Sequence, residues 1–245
     1  NQPGCYRDVK DTTVTAQFKI SPSQTLPKGK DFLKLLLEEC REVYFLAWTT
    51  TPWTLPSNTA LAVGPKIDYV LTETYNQYTG DKIKILLAKD LGGRYFNTDG
   101  KELPQYFEPY GDTKGKRIGS GLDEKGELLP FDENDKPYTK WKIIKDNIKG
   151  SDLVGLKYEQ LLPYALPYEN AENAFQVIPG DFVTTEDGTG IVHIAPTFGA
   201  DDAKVAKDAG VPPMLVLDEN GNPVPLVDLQ GKFRSELPEI GGKYV

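Results

Sequence analysis

The sequence is short of the residues that most often carry conspicuous chemistry. Its 245 residues include one histidine (His193), one methionine (Met214) and two cysteines, Cys5 and Cys40. The cysteines form no Cys-x-x-Cys pair and no disulfide framework, which suits a reducing compartment and sets the expectation of a cytoplasmic protein. A single histidine without a cysteine cluster cannot build a structural zinc cage. No metal site and no cofactor are expected, and a chelator should change nothing. No apolar run approaches the roughly 20 residues that span a membrane. The opening Asn1-Gln2-Pro3-Gly4 has no basic region followed by an apolar core, so it is not expected to be a signal peptide and reads as a cut boundary or the interior of a longer chain. Positive charge is scarce too: 28 lysines and arginines against 36 acidic residues leave a net charge of −8. Bulk electrostatics cannot hold nucleic acid on such a chain, so any such contact must be local or supported by another protein region.

What is present suits a globular fold. The chain is 39% hydrophobic and 26% charged, enough for one sizeable domain or two small ones. One domain over 1–245 is expected. Residues 14–20 alternate apolar and polar without a fault, as a half-buried strand does. Residues 31–39 suit a short helix with Asp31 as N-cap. Residues 43–47 read as a buried strand, and 68–75 and 82–88 as two strands around a Tyr78-Thr79-Gly80-Asp81 turn. Residues 89–96 suit a brief helix broken by Gly92-Gly93. From 97 to 137 periodicity dissolves, and the segment reads as a surface insertion. Its Gly111-Asp112-Thr113-Lys114-Gly115-Lys116 imitates a phosphate loop, but the spacing is wrong and no buried strand precedes it. Strand signals return at 141–144 and 175–178. Residues 180–196 read as a strand, a tight Asp187-Gly188 turn and a second strand ending at Pro196. A helix over 201–209 stops at Gly210, and 214–217 with 224–227 form a hairpin around Asn220-Gly221. Many strands, few short helices and no βαβ rhythm predict a mainly β (α+β), barrel-like domain with short peripheral helices.

Two stretches draw attention. In the first, Trp48-Thr49-Thr50-Thr51-Pro52-Trp53-Thr54-Leu55-Pro56-Ser57-Asn58, threonines leave the end of a buried strand and prolines and an asparagine stop it. Hydroxyls and a carboxamide are thus held on a stiff turn at a strand end, where sites tend to sit. Threonine also favours strands, and proline and asparagine favour turns, so the same residues serve plain structure. Two tryptophans bracketing the threonines add a surface on which a flat ring can stack. The second stretch places His193 near a strand end and Asp201 and Asp202 at the start of the next helix. Acidic residues there are favoured by capping and by the helix dipole alone. A Ser/His/Asp triad lacks the Gly-x-Ser-x-Gly elbow that would raise it.

The threonine stretch, together with Gly188-Thr189-Gly190-Ile191-Val192-His193-Ile194-Ala195-Pro196 and Gly199-Ala200-Asp201-Asp202, resembles the two motifs of the editing domain of isoleucyl-tRNA synthetases. The resemblance runs from about Tyr6 to Val245, with 97–137 the least familiar part. In the sibling valyl and leucyl enzymes the threonine stretch usually continues with Arg-Pro, and the valyl enzyme usually has lysine at the position of His193. The His-Ile-Gly-His and Lys-Met-Ser-Lys-Ser motifs of amino-acid activation cannot exist in a chain with one histidine and one methionine set in other contexts.

The resemblance implies an aminoacyl-tRNA ester hydrolase. Valine is isoleucine less one methylene, which a hydrophobic pocket discriminates by only roughly 1–3 kcal/mol. The resemblance implies a second site, too small for isoleucine, that hydrolyses valyl-tRNA(Ile), with valyl-adenylate as a further expected substrate. On this reading Thr49, Thr50, Thr51, His193 and Asp202 are the catalytic set. Trp48, Asn58, Thr50 and Asp202 bind substrate, with Asp202 paired to the α-ammonium group and Asn58 either bonded to the substrate or orienting the threonine loop. The expected partners are the aminoacylated 3′ end of tRNA(Ile) and the remainder of the synthetase, with no membrane and a monomeric state. The rivals are a non-catalytic RNA 3′-end module, the editing domain of a sibling synthetase, and an unrelated hydrolase using His193 as base and a threonine nucleophile.

Overall fold

Strands buried on both faces decide the layering. The computed structural model describes residues 12–22, 24, 42–96, 119–132, 134 and 140–245. The expected helix at 31–39, both cysteines, the phosphate-loop imitation at 111–116 and much of 97–137 lie outside these residues.

A six-stranded sheet runs in the order β1 (Val14–Lys19), β2 (Val43–Thr49), β5 (Lys82–Ala88), β4 (Asp68–Tyr75), β7 (Trp141–Lys149), β6 (Gly119–Ser120). Only the β2–β5 pair is parallel; the others are antiparallel. β5 shows why the sheet is covered twice. Ile83, Ile85 and Leu87 pack with Leu46, Phe96, Trp141 and Ile143 on one face. Leu86 and Ala88 pack with Phe18, Phe45, Leu61 and Leu71 on the other. Each such aliphatic or aromatic side chain stabilises the fold by roughly 1.5–3 kcal/mol when fully buried. β6 falls inside the stretch expected as a surface insertion, yet it pairs with β7 and forms the sheet edge.

A second, three-stranded sheet has β3 (Ala60–Val63) at its centre, parallel to β8 (Gln176–Pro179) and antiparallel to β9 (Ile191–Ile194). β3 is not anticipated by the sequence reading, which absorbs it into the tail of the threonine stretch. Its alternation divides two cores. Leu61 and Val63 enter the core shared with the large sheet. Ala60 and Ala62 meet Ala206 of α3 (Ala200–Asp208), small against small, so the helix lies close. The earlier helices α1 (Gly92–Tyr95) and α2 (Gly150–Leu153) are single turns. β10 (Leu215–Leu217) and β11 (Pro223–Pro225) form the expected hairpin, over a last small core of Met214, Leu226, Phe233 and Leu237.

Three expectations need correction. The mainly β class with short helices holds, but the sheets are open: β1 and β6 end the large sheet and do not pair with each other. Residues 180–190 are turns and bends, not the first arm of a hairpin. β9 finds its partner in β3 instead, while Gly188 and Gly190, both at φ +71, turn the chain out of strand geometry. Gly92 and Gly93 begin α1 rather than breaking a helix, following a 3-10 turn at Lys89–Leu91. Among the described residues no helix is long and apolar enough to cross a membrane.

Candidate active site

The C-terminal end of β2 and the end of β9 border one cleft of about 560 Å³, within the range of small-ligand sites. Trp48, Thr49, Thr50, Thr51, Trp53 and Thr54 line it from the end of β2 and the turn that follows; His193, Ala195 and Asp202 line it from β9, the residue after it and α3. Residues 184 and 187–190 form the outer wall, and Phe182 and Phe198, both exposed, stand with them.

The threonine turn is self-bonded. Thr49 Oγ1 accepts from the Thr51 amide at 3.0 Å and lies 3.2 Å from Thr51 Oγ1. Pro52 then sets the first residue of a 3-10 turn, Pro52–Ser57, where its fixed φ suits helical entry. The turn brings Thr54 back over Thr51: its amide and its hydroxyl both donate to Thr51 O, at 3.0 and 2.8 Å. Thr50 is left exposed, facing the open cleft.

Asn58 stands elsewhere. It is 3% exposed and lies outside the cleft lining. Its amide donates to Ala60 O at 2.8 Å and Ile194 O at 3.4 Å, and its carbonyl accepts from Tyr158 Oη at 2.7 Å. These bonds tie the threonine turn to β3 and β9, as the loop-orienting alternative for Asn58 expects.

His193 is 8% exposed, with Nε2 2.9 Å from Thr54 Oγ1. Burial pushes its pKa down to about 4, so the ring is neutral at pH 7 and ill suited to act as a base cycling near neutrality. Thr54 is the site residue that sequence reasoning passes over. It stands in the motif, but only the fold shows that its hydroxyl faces the one histidine 139 positions away.

Asp202 sits in the first turn of α3, half-buried. Its Oδ2 accepts from the Ala195 amide at 2.8 Å, bracing the loop between β9 and α3. It makes no cap bond to its own helix, whose N-cap is Gly199. Burial raises its pKa, the Ala195 amide opposes the rise, and neighbouring Asp201 adds to it. Among the described residues no cation pairs with Asp202, whereas the cleft's other carboxylate, Asp187, is paired with Arg94. A partly desolvated, unpaired carboxylate is a place for a ligand cation. Among the described residues no group of three or more His, Cys, Asp or Glu could hold a metal ion.

Gly188 and Gly190 shape the outer wall through the side chains they lack. An added Cβ would lie 3.2 Å from the Trp48 ring at Gly188 and 2.3 Å from Ala88 Cβ at Gly190. From α1, Arg94 ion-pairs with Asp187 and donates to Glu186 O at 2.6 Å, while Tyr95 Oη donates to Gly188 O at 3.2 Å.

No family model matches the chain. The curated isoleucine–tRNA ligase of Bacteroides fragilis is 52% identical over 245 residues, covering 100% of this chain and 18% of that protein. That of Bacteroides thetaiotaomicron is 49% identical over 253 residues, covering 100% and 19%. That of Mycobacterium leprae is 36% identical over 240 residues, covering 98% and 16%. The chain thus spans less than a fifth of the length of these curated relatives. Among solved structures, the crystal structure of GlLeuRS-CP1 superposes with a TM-score of 0.50 at 20% identity, covering 94% of this chain and 73% of that one; the likeness is one of fold.

Proposed function

We infer, from the premise that this chain belongs to the isoleucine–tRNA ligases as a segment of them, that it is their proofreading hydrolase for valyl-tRNA(Ile), and for valyl-adenylate where that is presented. The observation that carries this reading is the pairing, in one cleft, of a threonine hydroxyl cluster with a half-buried carboxylate that no cation pairs with among the described residues. An aminoacyl ester offers complementary groups: a carbonyl and ribose hydroxyls for the threonines, an α-ammonium for Asp202, and an adenine ring for Trp48.

The chemistry asks little of any one residue. Water adds to the ester carbonyl, the acyl–oxygen bond breaks, and the ribose oxygen leaves with a proton. The ester is already activated, so a strong base is unnecessary, and a neutral His193 is no obstacle. Its ring serves as a wall. Asp202 holds the ammonium, and Thr49, Thr50 and Thr51 offer hydroxyls to the carbonyl and to the attacking water. Excluding isoleucine from this second cleft adds to the roughly 1–3 kcal/mol of discrimination that one methylene gives elsewhere. The net charge of −8 fits contact with only the tRNA 3′ end, the remainder of the ligase supplying the other tRNA contacts. We place the activity in the cytoplasm and in a monomer.

The test is ester loss from valyl-tRNA(Ile) and isoleucyl-tRNA(Ile) mixed with the protein. Rapid loss of the first alone is expected. Equal loss of both, above the spontaneous rate, refutes the sieve. Binding of the tRNA end with no loss of either ester favours a non-catalytic 3′-end module.

A further inference from the structure

Three successive carbonyls of the outer wall are held by other elements. Gly188 O accepts from Tyr95 Oη at 3.2 Å, Thr189 O from the Ala88 amide at 2.8 Å, and Gly190 O from Tyr69 Oη at 2.6 Å. Tyr69 and Ala88 face each other across β4 and β5. One cross-strand pair of the large sheet therefore grips two adjacent carbonyls. Ala88 also presses on the same place, since a Cβ on Gly190 would lie 2.3 Å from its own.

Tyr69 is more than a donor. The β3–β9 ladder pairs Val63 with Ile191, so its next rung would join Gly64 to Gly190. The Tyr69 hydroxyl stands in that place, accepting from the Gly64 amide at 3.0 Å while donating to Gly190 O. A phenol has one hydrogen, and here it is committed. Tyr69 is fully buried, and burial raises its hydroxyl pKa against the opposing Gly64 bond, so it stays a donor. The inserted hydroxyl ends the ladder, and the chain before Gly190 runs as wall instead of strand. Two residues back, Gly188 lies against Trp48: a Cβ there would be 3.2 Å from the ring.

We propose that Tyr69 is a positioning residue: its hydroxyl, inserted between Gly64 and Gly190, fixes the base of the 188–190 wall on the large sheet and so sets the backing against which the Trp48 ring stands. The consequence for a ligand rests on the editing reading, in which Trp48 offers its ring to adenine. The joint rests on the hydrogen bonds alone.

Tyr69→Phe removes the hydroxyl and keeps the ring. In 15N-labelled protein the three tryptophans give three indole N–H resonances. That of Trp48 should shift in Tyr69→Phe, while that of Trp141, on the far face of the large sheet, should not. In the ester assay the KM for valyl-tRNA(Ile) should rise about tenfold, the upper end of what one hydrogen bond is worth. kcat should stay within about twofold, because the wall carries no reacting group. Ile83→Val destabilises from the far face and should leave both KM and the Trp48 resonance as in the parent. Ala88→Val pushes the same joint from its other member and should raise KM and shift the Trp48 resonance. An unmoved Trp48 resonance in Tyr69→Phe overturns the proposal. So does a lower melting temperature with the parent's KM, a fall in kcat at unchanged KM, or a rise in KM that Ile83→Val reproduces. If Tyr69→Phe fails to fold, Ala88→Val decides, and a parent-like KM and resonance there overturn the joint. If the parent cleaves neither ester, the editing reading fails, and the Trp48 resonance in the two variants still judges the joint.

Discussion

The two walls of the cleft are built on opposite plans. The inner wall, made of Thr54, His193 and the Asn58 tie behind them, is buried, uncharged and bonded to partners far along the chain. The outer wall, residues 184–190, is a run of turns around two positive-φ glycines. Its exposed tip is held from α1 by an ion pair whose side chains are 52% and 69% exposed and by bonds to Glu186 O and Gly188 O, while its base, Thr189 and Gly190, is buried and bonded to the Ala88 amide and Tyr69 Oη. Exposed pairs contribute roughly 0–1 kcal/mol, whereas a buried polar group left without its partner costs about 1–3 kcal/mol. The inner wall can therefore keep a fixed distance, as discrimination by one methylene requires. In the outer wall only the tip around Asp187 rests on such a weak pair. Asp202 also lines the cleft, braced by the Ala195 amide.

The largest expected effect tests the rigidity of the inner wall through pH. Burial lowers the His193 pKa from 6.5 to about 4 in the native state. Unfolded chain then binds the proton first, so stability is full above pH 6.5 and falls as pH drops from there towards 4. The loss from this group should be about 2 kcal/mol by pH 5 and about 3 kcal/mol by pH 4, at 1.36 kcal/mol per unit. Carboxylates titrate in the same range, so the informative quantity is the difference between the parent and His193→Gln in urea unfolding at each pH. Parallel pH profiles would mean that His193 is solvated and the wall is soft.

The same contrast explains what could be read in the sequence. β4 and β5 were legible because their periodicity and the Gly80 turn, at φ +74, are local facts. The threonines and His193 were legible as chemistry because a hydroxyl cluster and a lone histidine stand out in such a sequence. The inner wall's construction was not. Asn58 reads equally as a ligand group or as a brace of the threonine loop until Tyr158, 100 positions on, is found bonded to it, and Thr54 looks like one more turn residue until His193 is placed opposite. β3 is four apolar residues directly after the motif, too short for periodicity, and its burial comes from two strands on either side. The outer wall misled in the other direction. Phe182-Val183 before Asp187-Gly188 looks like a hairpin, and only the missing strand partner and the positive-φ glycines undo it.

The second effect separates the two duties of Asp202. Asp202→Ala loses the charge and the Ala195 bond together, so both rate and stability should fall. Asp202→Asn keeps an oxygen for the Ala195 amide and loses only the charge. Removing a charge-assisted ligand contact costs about 1.5–3 kcal/mol, or roughly one to two orders of magnitude in valyl-tRNA(Ile) deacylation. Asp202→Asn should show that rate loss with a melting temperature near the parent's; Asp202→Ala should add a stability loss of about 1–3 kcal/mol for the orphaned amide. Normal deacylation by Asp202→Asn would make the carboxylate a brace and nothing more.

The smallest effect belongs to the outer wall, and its smallness is the point. Arg94→Ala removes the Asp187 ion pair and the bond to Glu186 O, leaving Tyr95 on Gly188 O. Both charged groups are more than half exposed, so water replaces most of what is lost, and stability should change by no more than about 0.5 kcal/mol. Deacylation should slow by about twofold or less at saturating valyl-tRNA(Ile), because the hydroxyls, His193 and Asp202 keep their places. Any cost should fall on KM, since a looser wall holds the ligand less well, and added salt should reproduce it in the parent protein by screening the same pair. Asp187→Ala should match Arg94→Ala, and the double variant should be no worse than either. A fall in rate as large as that of Asp202→Asn, at unchanged KM, would show that the outer wall is held as firmly as the inner one and would dissolve the contrast between them.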